Sequence, residues 1–339
     1  MSVPTIALFN NKGGVGKTSL AHHLAWMLAD LGYRVLAVDL DPQANLSAAF
    51  LDDDRLEELW MGPTKPGTVF DSVQPLLNRT GDIAPPHVET IDSRLWLLVG
   101  DLLLSEFEDE LSAEWPKCLS RDVGAFRVVS AFWRVIQLAG AACEAGIALI
   151  DLGPNLGAIN RAALVASDFA VIPLRPDLFS LRGLANVGPR LRAWREDWAE
   201  RLAKRPQVTL DLPGGDMRPV GYVVLQHTLR LNRPVRAYDR WMRRFPGEYR
   251  AAVLNEDGAG DVTVESDPHC LALLKDYRSL MPMAQEVRKP IFHLQSADGA
   301  IGSHLYAVQG CRQDFERLAT RVLEAAGITL PAPSPGQLP

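Results

Sequence analysis

Short apolar runs alternate with amphipathic stretches along most of the chain. Residues 5–9 (TIALF) form a run of β-formers that stops at Asn10 and Asn11. From 18 to 31, Leu20, Ala21, Leu24, Met27, Leu28 and Leu31 recur at helical spacing, and Gly32 stands where a helix would be capped. Residues 34–39 (RVLAVD) show no polar alternation, as expected of a strand buried on both faces. The same kind of run returns at 95–99, 146–151, 168–173 and 220–225, and helices are predicted over 126–145, 160–166 and 181–203. Strands that alternate with helices predict an α/β fold: a mostly parallel, twisted sheet with helices on both faces.

No linker divides the chain. Residues 1–330 read as a single domain with two irregular insertions, 51–94 and 248–279, and 331–339 (PAPSPGQLP) as a disordered proline-rich tail. A length of 339 residues allows one large domain or two ordinary ones at ~150 residues each. With 47% hydrophobic and 22% charged residues the chain can bury a core, which excludes wholesale disorder. The net charge of −6 excludes a uniformly basic nucleic-acid binder but leaves room for a local basic patch. Four cysteines without CxxC spacing predict neither a zinc site nor a disulfide framework and fit a reducing cytoplasm. The N-terminus lacks a basic targeting region, and the apolar stretch 128–150 carries Arg134 and Glu144. A cytoplasmic protein without a membrane partner is therefore expected.

The decisive segment is Asn11-Lys12-Gly13-Gly14-Val15-Gly16-Lys17-Thr18-Ser19. It follows a strand and opens a helix, the context in which a glycine-rich loop turns backbone N–H groups around phosphates. Lys17 is expected to reach the β and γ phosphates of ATP, and the Thr18 hydroxyl to ligate Mg²⁺. The general P-loop pattern has glycine where this chain has Asn11, and an extra lysine, Lys12, follows. This loop resembles the deviant Walker A of the ParA/MinD family of P-loop ATPases, closest to the ParA type. The resemblance implies that Lys12 reaches a partner subunit's nucleotide in an ATP-bound homodimer.

Further motifs are similar to the same family. Val38-Asp39-Leu40-Asp41-Pro42-Gln43 resembles its V-D-x-D-P-Q segment, which implies that Asp41 positions the attacking water while Asp39 supports the metal or the loop. An apolar strand ends in Asp151, the Walker B arrangement that holds Mg²⁺. The following Leu152-Gly153-Pro154-Asn155 departs from the family's x-P-P-S, at Gly153 and Asn155. The run 173–180 is similar to a family loop near the adenine, which implies roles for Pro173, Arg175, Pro176 and Asp177.

One segment opposes the overall acidity: Arg230, Arg233, Arg236, Arg240, Arg243, Arg244 and Arg250 cluster, with Arg236, Arg240 and Arg243 near helical spacing. Such a face can bind phosphates without reading sequence. The resemblance implies nonspecific duplex DNA binding in the ATP dimer, release on slow hydrolysis, and stimulation by a ParB-like or cargo adaptor protein. It points to plasmid or chromosome partition or cargo positioning. A MinD-like ATPase that positions a protein or membrane cargo and a non-hydrolysing nucleotide switch remain as alternatives. An iron–sulfur relative is disfavoured because no cysteine follows Asp151. His22 and His23 read as packed or surface histidines, and Trp26, Trp96 and Trp133 as core.

Overall fold

The computed structural model describes residues 2–62, 67–227, 229–230, 233–234, 236–257 and 260–329, with the backbone alone for those of them between 226 and 238. The predicted tail, 331–339, lies outside the described residues. In chain order the elements begin with β1 (Thr5–Leu8), α1 (Lys17–Asp30), β2 (Val35–Asp39), α2 (Asn45–Phe50), α3 (Asp53–Met61) and α4 (Val69–Leu77). Then come β3 (Glu89–Asp92), β4 (Leu95–Leu98), α5 (Phe107–Glu114), α6 (Val123–Val129), α7 (Ala131–Ala142) and β5 (Ile147–Asp151). Next are α8 (Ala158–Val165), β6 (Phe169–Leu174), α9 (Leu178–Ala203), β7 (Arg218–His227) and a small hairpin of β8 (Leu229–Arg230) and β9 (Arg233–Pro234). The chain closes with α10 (Arg236–Met242), α11 (Phe245–Glu248), β10 (Cys270–Lys275), α12 (Leu280–Glu286) and α13 (Ser303–Ala326).

Eight strands form one sheet in the order β10-β7-β6-β1-β5-β2-β4-β3. Every neighbouring pair is parallel except β3 with β4. The lack of polar alternation in the central strands has a direct cause. In β1, Ile6 and Leu8 point into one apolar layer, and Ala7 with the following Phe9 into the other. The first layer is closed by α1, α2, α12 and α13, the second by α4 to α9. Both are shielded from solvent, so each side chain of β1 gains roughly 25 cal/mol per Å² of apolar surface buried, whichever way it points. The topology switches direction at β1, with β6 on one side and β5 on the other. Ligands bind at such a point, beyond the carboxyl ends of the strands.

α1 ends as its sequence predicts. Gly32 adopts a left-handed φ of 95°, and its N–H and that of Tyr33 bond back to Ala29 O and Leu28 O, both at 3.0 Å. Other expectations are revised. The helix over 126–145 is two helices that meet at Ser130, whose hydroxyl and N–H both donate to Phe126 O, at 2.6 and 3.0 Å. The insertion 248–279 contains β10, an edge strand of the main sheet paired with β7, so that part of it belongs to the scaffold. The described parts of 51–94 are structured: Asp52 caps α3, a Thr68–Asp71 capping box opens α4, and β3 adds the antiparallel edge. Trp26, Trp96 and Trp133 are half-buried at the rim of the layers, whereas Trp198 is the fully buried tryptophan.

Candidate nucleotide site

The loop 9–16 leaves β1 and turns sharply into α1. Gly14 and Gly16 sit at φ 67° and 105°, where a Cβ would be strained. Gly16 is the N-cap of α1 and offers no side chain, so the first-turn N–H groups of the helix face outward with no side-chain cap. These amides and the helix's partial positive charge favour an anion. In front of them lies a cavity of about 530 Å³, lined by residues 13–19, Asp41, Gln43 and Pro154.

Lys17 is buried, and its ammonium lies 3.5 Å from Lys12 O. Burial lowers its pKa, against the opposing pull of Asp151 and Asp41. The two acidic strand ends are brought side by side by register, since Asp39 pairs with Asp151 across β2 and β5. Both are fully buried, but they differ in their partners. Asp39 accepts from the Ser47 N–H and hydroxyl, both at 2.8 Å, and from the Asp41 N–H at 3.3 Å. Its carboxylate is thereby occupied in pinning α2 and the Asp41 turn. Burial still pushes its pKa up to about 6, with Ser47 opposing.

Neither oxygen of Asp151 has a hydrogen-bond partner of ordinary geometry, although the Thr18 hydroxyl and Lys17 stand close enough to favour its charge. Burial, then the neighbouring Asp39, pushes its pKa up to about 8. A buried carboxylate without a donor is costly unless something cationic meets it. An orphaned carboxylate beside a threonine hydroxyl is a hard-oxygen donor set, and it fits Mg²⁺. Asp41 is nearly buried at the cavity wall and accepts from the Gln43 N–H at 3.0 Å.

Lys12 does not line the cavity. Its ammonium pairs with Asp177, which also caps α9 through the Ser180 N–H at 2.8 Å, and it lies 5.7 Å from the centre of the exposed Phe179 ring. Arg175 donates to Gly14 O at 3.0 Å, and the Asn10 amide donates to Pro173 O at 2.7 Å. Thus Pro173, Arg175, Pro176 and Asp177 form a loop stitched to the outside of the phosphate loop, and none of them lines the cavity.

The far wall of the cavity lies outside the phosphate loop and the acidic strand-end motifs. It is built by His22 and His23 of α1, Met281, Ala284 and Gln285 of α12, and Lys289. The available signal was spacing: His22 and His23 stand one helical turn beyond Thr18 and Ser19. The Ile291 N–H donates to His23 Nε2 at 3.1 Å, so Nδ1 carries the proton and donates to Ser19 O at 2.7 Å. His23 is therefore held neutral, and burial lowers its pKa to about 4. It ties the backbone at Ile291 to the first turns of α1.

The arginine cluster is divided. Arg230, Arg233 and Arg236 have side chains outside the described residues. Arg240 stacks on Trp241 at 4.2 Å, Arg243 pairs with Asp239 at 2.7 Å, and Arg244 is exposed. Arg250 leaves the patch altogether, because it is paired with the buried Asp267 at 2.9 Å. Among the described residues no helix is long and apolar enough to cross a membrane.

Comparison with known proteins matches this geometry. The model of an AAA domain family (AAA_31) matches residues 3–204. The sporulation initiation inhibitor protein Soj of Bacillus subtilis is 31% identical over 182 residues, covering 54% of this chain and 62% of Soj. The chromosome partitioning protein ParA of Caulobacter vibrioides is 31% identical over 184 residues, covering 54% of this chain and 60% of that protein. The aligned stretch thus spans less than two thirds of either relative. Among solved structures, DIP2308 from Corynebacterium diphtheriae superposes with a TM-score of 0.71 at 24% identity, covering 95% of this chain and 98% of that one. An ATP complex of Cyanothece McdA gives 0.61 at 16% identity, covering 98% and 99%. These two likenesses establish the fold. The chain belongs to this AAA domain family and is a P-loop ATPase of the ParA/MinD type.

Proposed function

We propose that the chain is a partition-type switch that closes as a homodimer on ATP and Mg²⁺, holds duplex DNA without sequence preference, and lets go on hydrolysis. The observation that carries the reading is Asp151, a fully buried carboxylate with no hydrogen-bond partner of ordinary geometry, close to Lys17 and Thr18 of the phosphate-binding loop. In this reading the 13–19 amides and Lys17 bind the phosphates, and Thr18 with Asp151 holds Mg²⁺. Bound there, Mg²⁺ supplies neutralisation of the charge that develops on the phosphoryl oxygens. Asp41, at the cavity wall, orients a water towards the γ-phosphoryl group. Asp39 serves as the anchor of the Asp41 turn through Ser47.

Lys12 must leave Asp177 to reach a second copy, so dimer closure exchanges one ion pair for a phosphate contact. Arg240, Arg243 and Arg244 are the described members of the surface proposed to meet DNA. A relative named for chromosome partitioning supports the role. A ParB-like or cargo adaptor is the proposed activator, and the proposed setting is the cytoplasm, on the nucleoid while DNA is held.

The test is binding to a random-sequence duplex with no nucleotide, ADP–Mg²⁺ and ATP–Mg²⁺, together with ATP turnover. The wild type should bind only with ATP. Asp41→Ala should bind ATP and DNA persistently while turnover falls on the order of a hundredfold. An Asp41→Ala protein that dimerises with ATP yet never holds DNA would sink the DNA reading.

A further inference from the structure

We infer that Glu108, remote in sequence from every nucleotide motif, is a positioning residue for the loop that shapes the γ-phosphate side of the cavity. The inference rests on the hydrolytic reading above. α8 begins at Ala158 behind Gly157, an N-cap without a side chain. Its exposed first-turn amides are instead met from α5. The two carboxylate oxygens of Glu108 accept from the N–H groups of Ala158 and of Ile159, the latter at 2.8 Å. An acidic side chain at this end also complements the helix dipole.

The loop just before this helix is held at its other end by Asn160. Its side-chain amide donates to Gly153 O at 2.9 Å and to Asn155 O at 2.7 Å. The Asn155 side chain closes the loop on itself by accepting from the Gly157 N–H at 2.9 Å. Loop 152–157 is thus suspended between Asp151 and a helix end that Glu108 holds.

What this loop touches gives the clamp its consequence. Pro154 lines the cavity, and its ring lies 3.9 Å from where a Cβ of Gly13 would stand. A Cβ on Gly153 would lie 3.2 Å from Asp41 Oδ1, so the loop backbone runs close beside the carboxylate proposed to orient water. A Cβ on Gly157 would lie 2.5 Å from Glu108 Oε1, so glycine is required for the carboxylate to approach the amides. A chain of contacts therefore runs from Glu108 through the α8 N-terminus to Gly153, Pro154 and Asp41. Misplacement of such a wall by about 1 Å can cost two orders of magnitude in rate while leaving binding of the rest of the nucleotide intact.

The test uses the full-length protein with Glu108→Ala, Glu108→Gln and, as a control on the same helix, the exposed Asp109→Asn. Glutamine keeps one acceptor oxygen and the side-chain length, so it retains part of the clamp if alanine unfolds the helix. Three quantities are measured: kcat for ATP, affinity for ATP–Mg²⁺ by calorimetry, and amide exchange across 152–159. The expected result is a kcat lowered on the order of tenfold in Glu108→Ala and less in Glu108→Gln, affinity within about twofold of wild type, and faster exchange in 152–159. Asp109→Asn should match wild type. Unchanged kcat in Glu108→Ala, or affinity falling in step with kcat, overturns the inference and leaves Glu108 as a helix cap. A wild-type protein that hydrolyses no ATP overturns the underlying reading instead, which the wild-type assay alone reports.

Discussion

Asp151 and Asp267 are equally hidden from water, yet they do opposite things in the fold. Asp267, beneath the β7–β10 edge, accepts from the Tyr222 hydroxyl at 2.8 Å, the Arg250 guanidinium at 2.9 Å and the His269 N–H at 3.2 Å. Asp151, at the centre of the sheet, accepts from nothing in ordinary geometry. A buried carboxylate whose oxygens are both engaged by donors is scaffold. One left without a donor is, in the reading proposed above, held for a cation. Burial alone does not distinguish the two, but their partners do.

The comparison predicts opposite stability effects from the same substitution. Asp267→Asn leaves the Arg250 charge buried and uncompensated and should cost about 3–5 kcal/mol, read as a lower Tm, with turnover per folded molecule unchanged. Asp151→Asn should leave the nucleotide-free Tm equal or higher, because burial and the neighbouring Asp39 already disfavour the charged form that the substitution removes. Turnover should fall on the order of a hundredfold or more. If Asp151→Asn destabilises as severely as Asp267→Asn, both carboxylates are scaffold and the contrast fails.

The same divide explains what the sequence made legible. The phosphate loop, the buried central strands and the acidic strand ends follow from local rules: glycine spacing, period-free apolar runs and a carboxylate at a strand terminus. Each of these is encoded within a few residues of itself. β10 was hidden because CLALLK follows a loop rich in glycine and aspartate, and its strand character comes from pairing with β7. The Arg250–Asp267 pair was hidden for a similar reason. Seven arginines in a row of helical turns look like one surface, and only tertiary packing draws Arg250 inward. His22 and His23 were legible as helix residues, but the wall opposite them comes from α12, far along the chain. Glu108 carried no signal, since its partners are backbone amides 50 and 51 residues away.

The exposed arginines sharpen the contrast at an intermediate scale, because they are charges left unburied. Arg243 pairs with Asp239 only at the surface, its side chain 74% exposed, so it can be re-engaged by a phosphate at little cost. Replacing Arg240, Arg243 and Arg244 with alanine should weaken ATP-state DNA binding roughly tenfold to a hundredfold at low salt. It should also reduce the slope of log K against log salt by about 0.9 for each phosphate no longer neutralised. ATP affinity and Tm should stay at wild-type values. Unaltered DNA affinity and slope would move the DNA-binding surface elsewhere.

The smallest effect concerns a buried group that is satisfied only in one protonation state. His23 Nε2 accepts from the Ile291 N–H, so a proton there removes an acceptor and opposes two hydrogens across 3.1 Å. Burial accordingly holds its pKa near 4, below the ordinary value of 6.5, and His22 is also shifted down by burial. A folded-state pKa that is depressed for a base means that the unfolded chain binds the proton more readily. The stability contributed by neutral His23 is therefore present above about pH 6.5 and lost as pH falls towards about 4. Asp39, whose raised pKa works in the opposite direction over part of this window, is common to both proteins if the comparison is made with His23→Gln. Thermal melts of the two between pH 7 and 5 should then differ in slope, wild type losing about 1 to 2 kcal/mol more than the variant. Parallel melting curves would mean that the Ile291–His23–Ser19 bridge does not set the stability of the chain around Ile291. The cavity's far wall would then rest on α12 packing rather than on a histidine.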